Sequence, residues 1–274
     1  MDASIRKGTT EKAKREIKPW VRRFARLGYM SKGIVYFLIG VLAFMTAIGM
    51  GGETTGTTGA LRSIASMPLG EILLWVIGIG LIGYIFWDVI KATKNPDNSG
   101  KVSRIGYFVS AVIYSSIAIN AIRIALHSGS SGGNSEQTIS ARLLSQPYGQ
   151  WLVGIVGAII IGYGLYELFT GLSGRFMKKF QAGEMDRHEK KVARTAGKMG
   201  LTARGIVLGM IGFFFIQTAW TADPSQSKGL DGALSELAQQ PYGQLILGAV
   251  ALGLALYGIY QIARGRYQHM SFGA

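Results

Sequence analysis

The chain has 274 residues, 49% of them hydrophobic and only 16% charged, with no cysteine and a net charge of +14. A soluble protein carries about 25% charged residues, and the missing cysteines exclude disulfides, thiolate metal sites and cysteine nucleophiles. The basicity would suit nucleic acid, but no recognition motif accompanies it and its distribution points elsewhere.

Residues 1–23 form a basic tail that includes Arg6, Lys7, Lys12, Lys14, Arg15 and Lys18. Six apolar runs follow, at roughly 34–50, 72–90, 105–126, 151–172, 201–220 and 245–263. Each approaches the ~20 residues that a 30 Å hydrocarbon core requires of a helix. Stretches such as Ile77 to Gly83 and Leu152 to Ile161 lack the polar stripe of a helix in a soluble bundle. The first run follows a long basic stretch with no small-x-small cleavage signal, so it is expected to be retained. Among the connections, Lys and Arg alternate strictly. The N-terminal 32 residues hold ten, the second connection four, the fourth nine and the C-terminal end two, whereas the other three connections hold only Arg62, Arg142 and Lys228. By the positive-inside rule the first group marks the cytoplasmic side, with both termini there. Anionic lipid headgroups are the expected partners at that face; nucleic acid is not. An oligomer is possible, its state not indicated.

The runs come in pairs that repeat. Arg26-Leu27-Gly28-Tyr29, Arg104-Ile105-Gly106-Tyr107 and Lys198-Met199-Gly200-Leu201 each open a first run. Pro68-Leu69-Gly70, Pro147-Tyr148-Gly149 and Pro241-Tyr242-Gly243 each open a second, 40, 41 and 41 residues after the glycine. Such spacing sets the architecture. It predicts an all-α membrane protein of six transmembrane helices in three tandem hairpins, 24–94, 104–174 and 197–264. The hairpins share one in-out sense, so a pseudo-three-fold axis along the membrane normal should relate them. A basic cytoplasmic joint covers 175–196 and a cytoplasmic tail 265–274. Before each proline a short amphipathic segment (Ala60 to Ala65, Ala141 to Leu144, Ala233 to Ala238) should lie at the outer interface. The repeat turns are expected at Gly28, Gly106 and Gly200 and at Pro68/Gly70, Pro147/Gly149 and Pro241/Gly243, the glycines tolerating the sharp change of direction.

The pattern resembles a family of bacterial membrane proteins known as domain of unknown function 1206, which carries three tandem two-helix units with an Arg-Leu-Gly-Tyr-like opening and a central Pro-x-Gly. The resemblance spans about 24–264 and is weakest where Arg and Tyr become Lys198 and Leu201. It implies a fold and a membrane location, and brings no activity with it.

Aligning on the prolines superposes Asp88, Glu167 and Gln261, twenty residues on. Aligning on the glycines superposes Arg26, Arg104 and Lys198. These six form a candidate inner polar ring that could close a central path. The simpler reading is a local clamp of each hairpin, or side chains snorkelling to the headgroups. Lys32, Ser110 and Arg204 lie one turn deeper. Tyr84, Tyr163 and Tyr257, each followed three residues later by Trp87, Tyr166 or Tyr260, suit an aromatic belt at the interface, or else a cage around a cation. Asn120, Arg123 and His127 fall on one stripe of the third run and make a candidate outer vestibule; the simpler reading is that Arg123 snorkels outward. Gly78 to Gly83 satisfies G-x-G-x-x-G, but without a preceding strand this is helix packing, not phosphate binding. The three histidines have no metal spacing, no nucleophile meets a base, and neither catalysis nor a cofactor is expected. Two functions fit: a small-solute or ion transporter or channel along the axis, or a structural or stress-related membrane scaffold.

Overall fold

The computed structural model describes residues 19–50, 56–94, 100–127, 135–180 and 185–268. The basic segment 1–18 and the joint at 95–99 lie outside the described residues. Six helices are long and apolar enough to cross a membrane: α1 (Pro19–Ala47), α3 (Gly70–Lys94), α4 (Lys101–Ala125), α6 (Gly149–Ser173), α7 (Arg187–Thr221) and α9 (Gly243–Tyr267). Three short helices precede the even-numbered spans, α2 (Thr57–Ala65), α5 (Ser135–Leu144) and α8 (Leu230–Gln239). The molecule is a multi-pass membrane protein built of helices.

Each Pro-x-Gly joint has the same geometry, and it differs from the expected one. The left-handed residue is the middle one: Leu69, Tyr148 and Tyr242 have φ of 63°, 62° and 60°. The glycine instead supplies space. A methyl group on Gly70, Gly149 or Gly243 would strike the carbonyl of Ile64, Leu143 or Ala238 in the preceding short helix. The glycine N–H closes the turn on the residue three back, Met67, Gln146 or Gln240, at 2.9, 2.9 and 2.7 Å. Gly28, Gly106 and Gly200 are not turns at all; they lie inside α1, α4 and α7.

Part of the basic joint belongs to a span. Residues 187–198 continue directly into the fifth span, making α7 35 residues long. Asp186 and Glu189 start it with a capping box, in which the Asp186 N–H donates to Glu189 Oε2 at 3.1 Å. Ahead of it, α6 ends at Gly174 in the left-handed conformation. A 3-10 turn, Arg175–Lys179, then tucks buried Phe176 and Phe180 against Tyr260, with ring centroids 5.2 and 5.9 Å apart.

Around the bundle the order of packed neighbours is α4, α3, α1, α9, α7, α6. The first and third hairpins close on themselves, α1 on α3 and α7 on α9. The second does not, because α4 and α6 are not packed together. The repeat-equivalent glycines show the difference atom by atom. A methyl on Gly28 would lie 2.5 Å from Tyr84 N, and one on Gly200 would lie 2.5 Å from Tyr257 N, so in these hairpins backbone meets backbone. At Gly106 the nearest atom is the ring edge of Tyr163, 3.7 Å away. Three equivalent hairpins were expected; two are closed and one is splayed.

Candidate functional site

Toward the basic end, the interior of the bundle holds charge. Asp88 and Glu167 are 0% and 5% exposed, Lys32 and Arg204 3% and 7%. Such burial removes snorkelling as their explanation. Helical rise sets the depth: from Gly70 at the Pro-x-Gly turn to Tyr84 is 14 residues, ~21 Å, which leaves the cluster in the basic-side third of a 30 Å core.

Two linked layers make up the cluster. In the deeper one the Lys32 ammonium donates to the Tyr84 hydroxyl at 3.1 Å, and lies 4.3, 4.7 and 5.7 Å from the ring centroids of Tyr114, Tyr84 and Tyr257. A cation over a ring face gains about 0.5–2 kcal/mol, most when desolvated. Arg204 donates from Nη1 to Glu167 Oε1 and from Nε to the Tyr36 hydroxyl, the latter at 3.3 Å. Its guanidinium sits 5.0 Å from the Tyr257 ring and 5.7 Å from that of Tyr163. The Tyr84 hydroxyl also reaches Ser110 Oγ at 3.3 Å, and the Gln261 amide donates to the Tyr257 hydroxyl.

In the layer nearer the basic face, Lys91 donates to Asp88 Oδ1 at 2.7 Å and to the Tyr29 hydroxyl at 3.0 Å. Arg264 donates to that same hydroxyl at 3.2 Å and stacks 4.5 Å from the Tyr29 ring. The Tyr29 and Tyr84 rings meet edge-on at 5.2 Å and join the layers. The cluster therefore sets four basic side chains, Lys32, Lys91, Arg204 and Arg264, against two acidic ones, Asp88 and Glu167. Asp88 Oδ2, Glu167 Oε2 and Gln261 Oε1 are buried and accept no hydrogen bond. These acceptors occupy the one repeat position in all three hairpins.

The expected inner ring is thus half assembled. Its acids and amide are gathered inside, but the acids meet other bases than the expected ones and the Gln261 amide meets the Tyr257 hydroxyl. Arg104 donates to the carbonyls of Ala92 and Thr93, at 2.7 and 3.3 Å, Arg26 is half-buried and Lys198 is exposed. The partners that the sequence reading missed are Lys91 and Arg264. Both lie 23 residues after their proline, a register that extending the alignment by one turn would have revealed. At that position the second repeat has Thr170, and opposite Lys32 and Arg204 it has Ser110, so both of its equivalents are hydroxyls. The aromatic pairs of the first and third repeats, Tyr84 with Trp87 and Tyr257 with Tyr260, are buried against the protein's own bases instead of forming an outer belt. In the second repeat Tyr163 is half-buried and Tyr166 exposed.

The outer vestibule residues do not converge. Asn120 donates to Thr58 Oγ1 of α2 at 3.0 Å, while Arg123 and His127 are exposed. The end of the bundle opposite the basic face carries a different arrangement, in which the short helices bring their N-termini together. Gly56 faces Asp231, and Gly229 faces the Glu136 carboxylate. Buried Ser227 ties them down through Ser140 at 2.6 Å and Thr218 at 2.8 Å. Burial, and next to it the charge of Asp231, hold the Glu136 carboxyl above its ordinary range against the pull of its own backbone hydrogen bond. Between cap and cluster the interior is apolar, filled by Ile39, Ala43, Leu61, Ile64, Ala118 and Ala121. A groove of about 590 Å3 lies off the axis between α6 and α7. Among the described residues no three His, Asp or Glu side chains are placed to share a metal ion.

The sequence profile of the Domain of Unknown Function (DUF1206) matches this chain three times, over residues 27–95, 105–174 and 199–268. The chain belongs to that family. Each DUF1206 unit contributes one orphan acceptor, Asp88, Glu167 or Gln261, so the cluster is assembled from all three. Uncharacterized protein YxxB of Bacillus subtilis (strain 168) is similar, at 48% identity over 266 residues, covering 95% of this chain and 96% of that protein. No solved structure is significantly similar.

Proposed function

We propose that this protein is a small-solute or ion transporter of the bacterial plasma membrane, with the buried cluster as its binding centre and its basic face in the cytoplasm. The observation that carries this reading is the set of six ionisable side chains inside the bundle. Each charge costs about 2.5–3.5 kcal/mol at the centre of a span, less toward an end. Helices that only had to pack would fill that space with apolar side chains at no such cost. The three orphan oxygens and the surplus of cations leave the cluster chemically incomplete, as a centre must be that exchanges protons or ions with a passing solute.

The apolar interior and the converging short helices above it favour a carrier that alternates between closed and open states over a continuously open channel. They also favour the second reading, a scaffold whose outer helices form a docking cap. Flux separates the two. Purified protein in liposomes, tested with proton, small-cation and small-anion gradients under applied voltage, is expected to carry current or solute. Glu167→Gln, which removes the Arg204 partner, should reduce that flux at least about ten-fold. Flux equal to that of empty liposomes under every gradient retires the transport reading and leaves the scaffold.

A further inference from the structure

The splayed hairpin gives the cluster a side door. Five neighbouring pairs of spanning helices pack together and one, α4 with α6, does not. Where Gly28 and Gly200 are pressed against opposing backbone, Gly106 meets only the edge of Tyr163, and Gly162 has nothing within 4 Å of where a methyl would stand. The residues at the two charged registers on this side, Ser110 and Thr170, are small hydroxyls, and both are half-buried. The flanks of the gap, on the stripes that carry Gly106 and Tyr163, are apolar and face outward: Ile113 on α4, and Ile159 and Tyr166 on α6, are 42–48% exposed.

We infer that an anionic phospholipid of the basic-side leaflet is the ligand of the buried cluster, its acyl chains lying along the α4–α6 gap and its phosphate reaching past Ser110 to Lys32. Charge complementarity selects the occupant. The cluster behind the gap holds four basic side chains against two acidic ones, and Lys32 hydrogen-bonds a phenol, not a carboxylate. A phosphate oxygen would complete it with a charge-assisted hydrogen bond. Depth agrees with this, since the cluster lies in the third of the core nearest the basic face. A free phosphate from water would have to pass the apolar flanks, whereas a lipid brings chains that match them. This inference rests on the cluster being a binding centre, but it does not require transport.

The test uses the full chain, purified in neutral detergent and titrated in native mass spectrometry with phosphatidylglycerol or with phosphatidylcholine of the same chains. Phosphatidylglycerol should bind at least about ten-fold more tightly, the equivalent of one charge-assisted contact. Lys32→Gln should remove that preference. Gly106→Leu, which fills the gap and touches none of the charged groups, should remove it too without lowering the melting temperature of the lipid-free protein. The second variant decides the question if the first does not fold, and it also separates the gap from headgroup binding by surface lysines. Equal binding of the two lipids overturns the inference, as does a preference untouched by Gly106→Leu. Inorganic phosphate binding in place of lipid, or a dimer replacing the lipid-bound monomer, also overturns it. Lipid binding without flux in liposomes retires transport and keeps this site; flux without lipid preference does the reverse.

Discussion

Glu136 is the clearest case of a single residue held against its own chemistry. It is mostly buried at the outer cap, faces Gly229, and its neighbour Asp231 carries the same charge. Its carboxyl is therefore pushed up from 4.5, chiefly by desolvation. The sign of the linkage follows directly. The folded state holds this proton more tightly than the unfolded chain, so Glu136 favours folding in acid and loses that contribution as pH rises through its raised value. Glu136→Gln should raise the melting temperature in detergent at neutral pH, and the gain should vanish as pH falls below 4.5. A gain that persists unchanged in acid would show that the carboxylate charge is not its origin. Asp223, at the same end of the molecule and half-buried, behaves oppositely. Hydrogen bonds from the Ser225 side chain and backbone, at 2.6 and 2.9 Å, hold its carboxyl below the ordinary range.

At the scale of the helix pair, the three opening glycines look interchangeable in sequence and are not so in the structure. Gly28 faces Tyr84 N at 2.5 Å and Gly80 O at 2.6 Å, and neither backbone atom can swing aside. Gly28→Ala must separate α1 from α3, an overpacking that costs about 1–3 kcal/mol. Gly200→Ala should cost a similar amount against Tyr257. Gly106→Ala meets only ordinary contact and replaces a poor helix former with the best one, a gain of about 0.5–1 kcal/mol. Thermal unfolding of the three alanine variants in one detergent should therefore give two falls and one rise; three falls of equal size would mean that the second hairpin is closed like the others. Sequence could not reveal this asymmetry. It depends on how far the backbone of α6 stands from α4, which is set by packing across the bundle, and Gly106 and Tyr163 themselves fit the repeat. The hydroxyls Ser110 and Thr170 were the only local sign. By contrast the Pro-x-Gly joints were legible as joints, because proline interrupts a helix wherever it occurs. Only the division of labour within them was hidden, with strain on Leu69, Tyr148 and Tyr242 and close approach at the glycines.

For the molecule as a whole, spacing and hydropathy were enough to read six helices in three pairs, since a bilayer admits few alternatives to helices of fixed length. The acids of the site were legible through the repeat, and so were Lys32 and Arg204, because a charge inside a span is conspicuous. Lys91 and Arg264 looked like ordinary cytoplasmic lysine and arginine near helix ends, and only the shared Tyr29 hydroxyl reveals their role. Orientation is the remaining property of the whole molecule, and the charge distribution predicts it. Lys190, near the start of α7, belongs to the basic end, and Ser66, Gln146 and Gln239, one or two residues before the prolines, belong to the other; all four are exposed. The chain has no cysteine, so one introduced at any of these positions reports without background. With the basic side in the cytoplasm, Ser66→Cys, Gln146→Cys and Gln239→Cys should react with a membrane-impermeant maleimide on intact cells, and Lys190→Cys only after permeabilisation. Reaction of Lys190→Cys on intact cells, with protection of the other three, would invert the molecule. It would also place the buried cluster in the opposite third of the bilayer, and the lipid proposed for it in the outer leaflet.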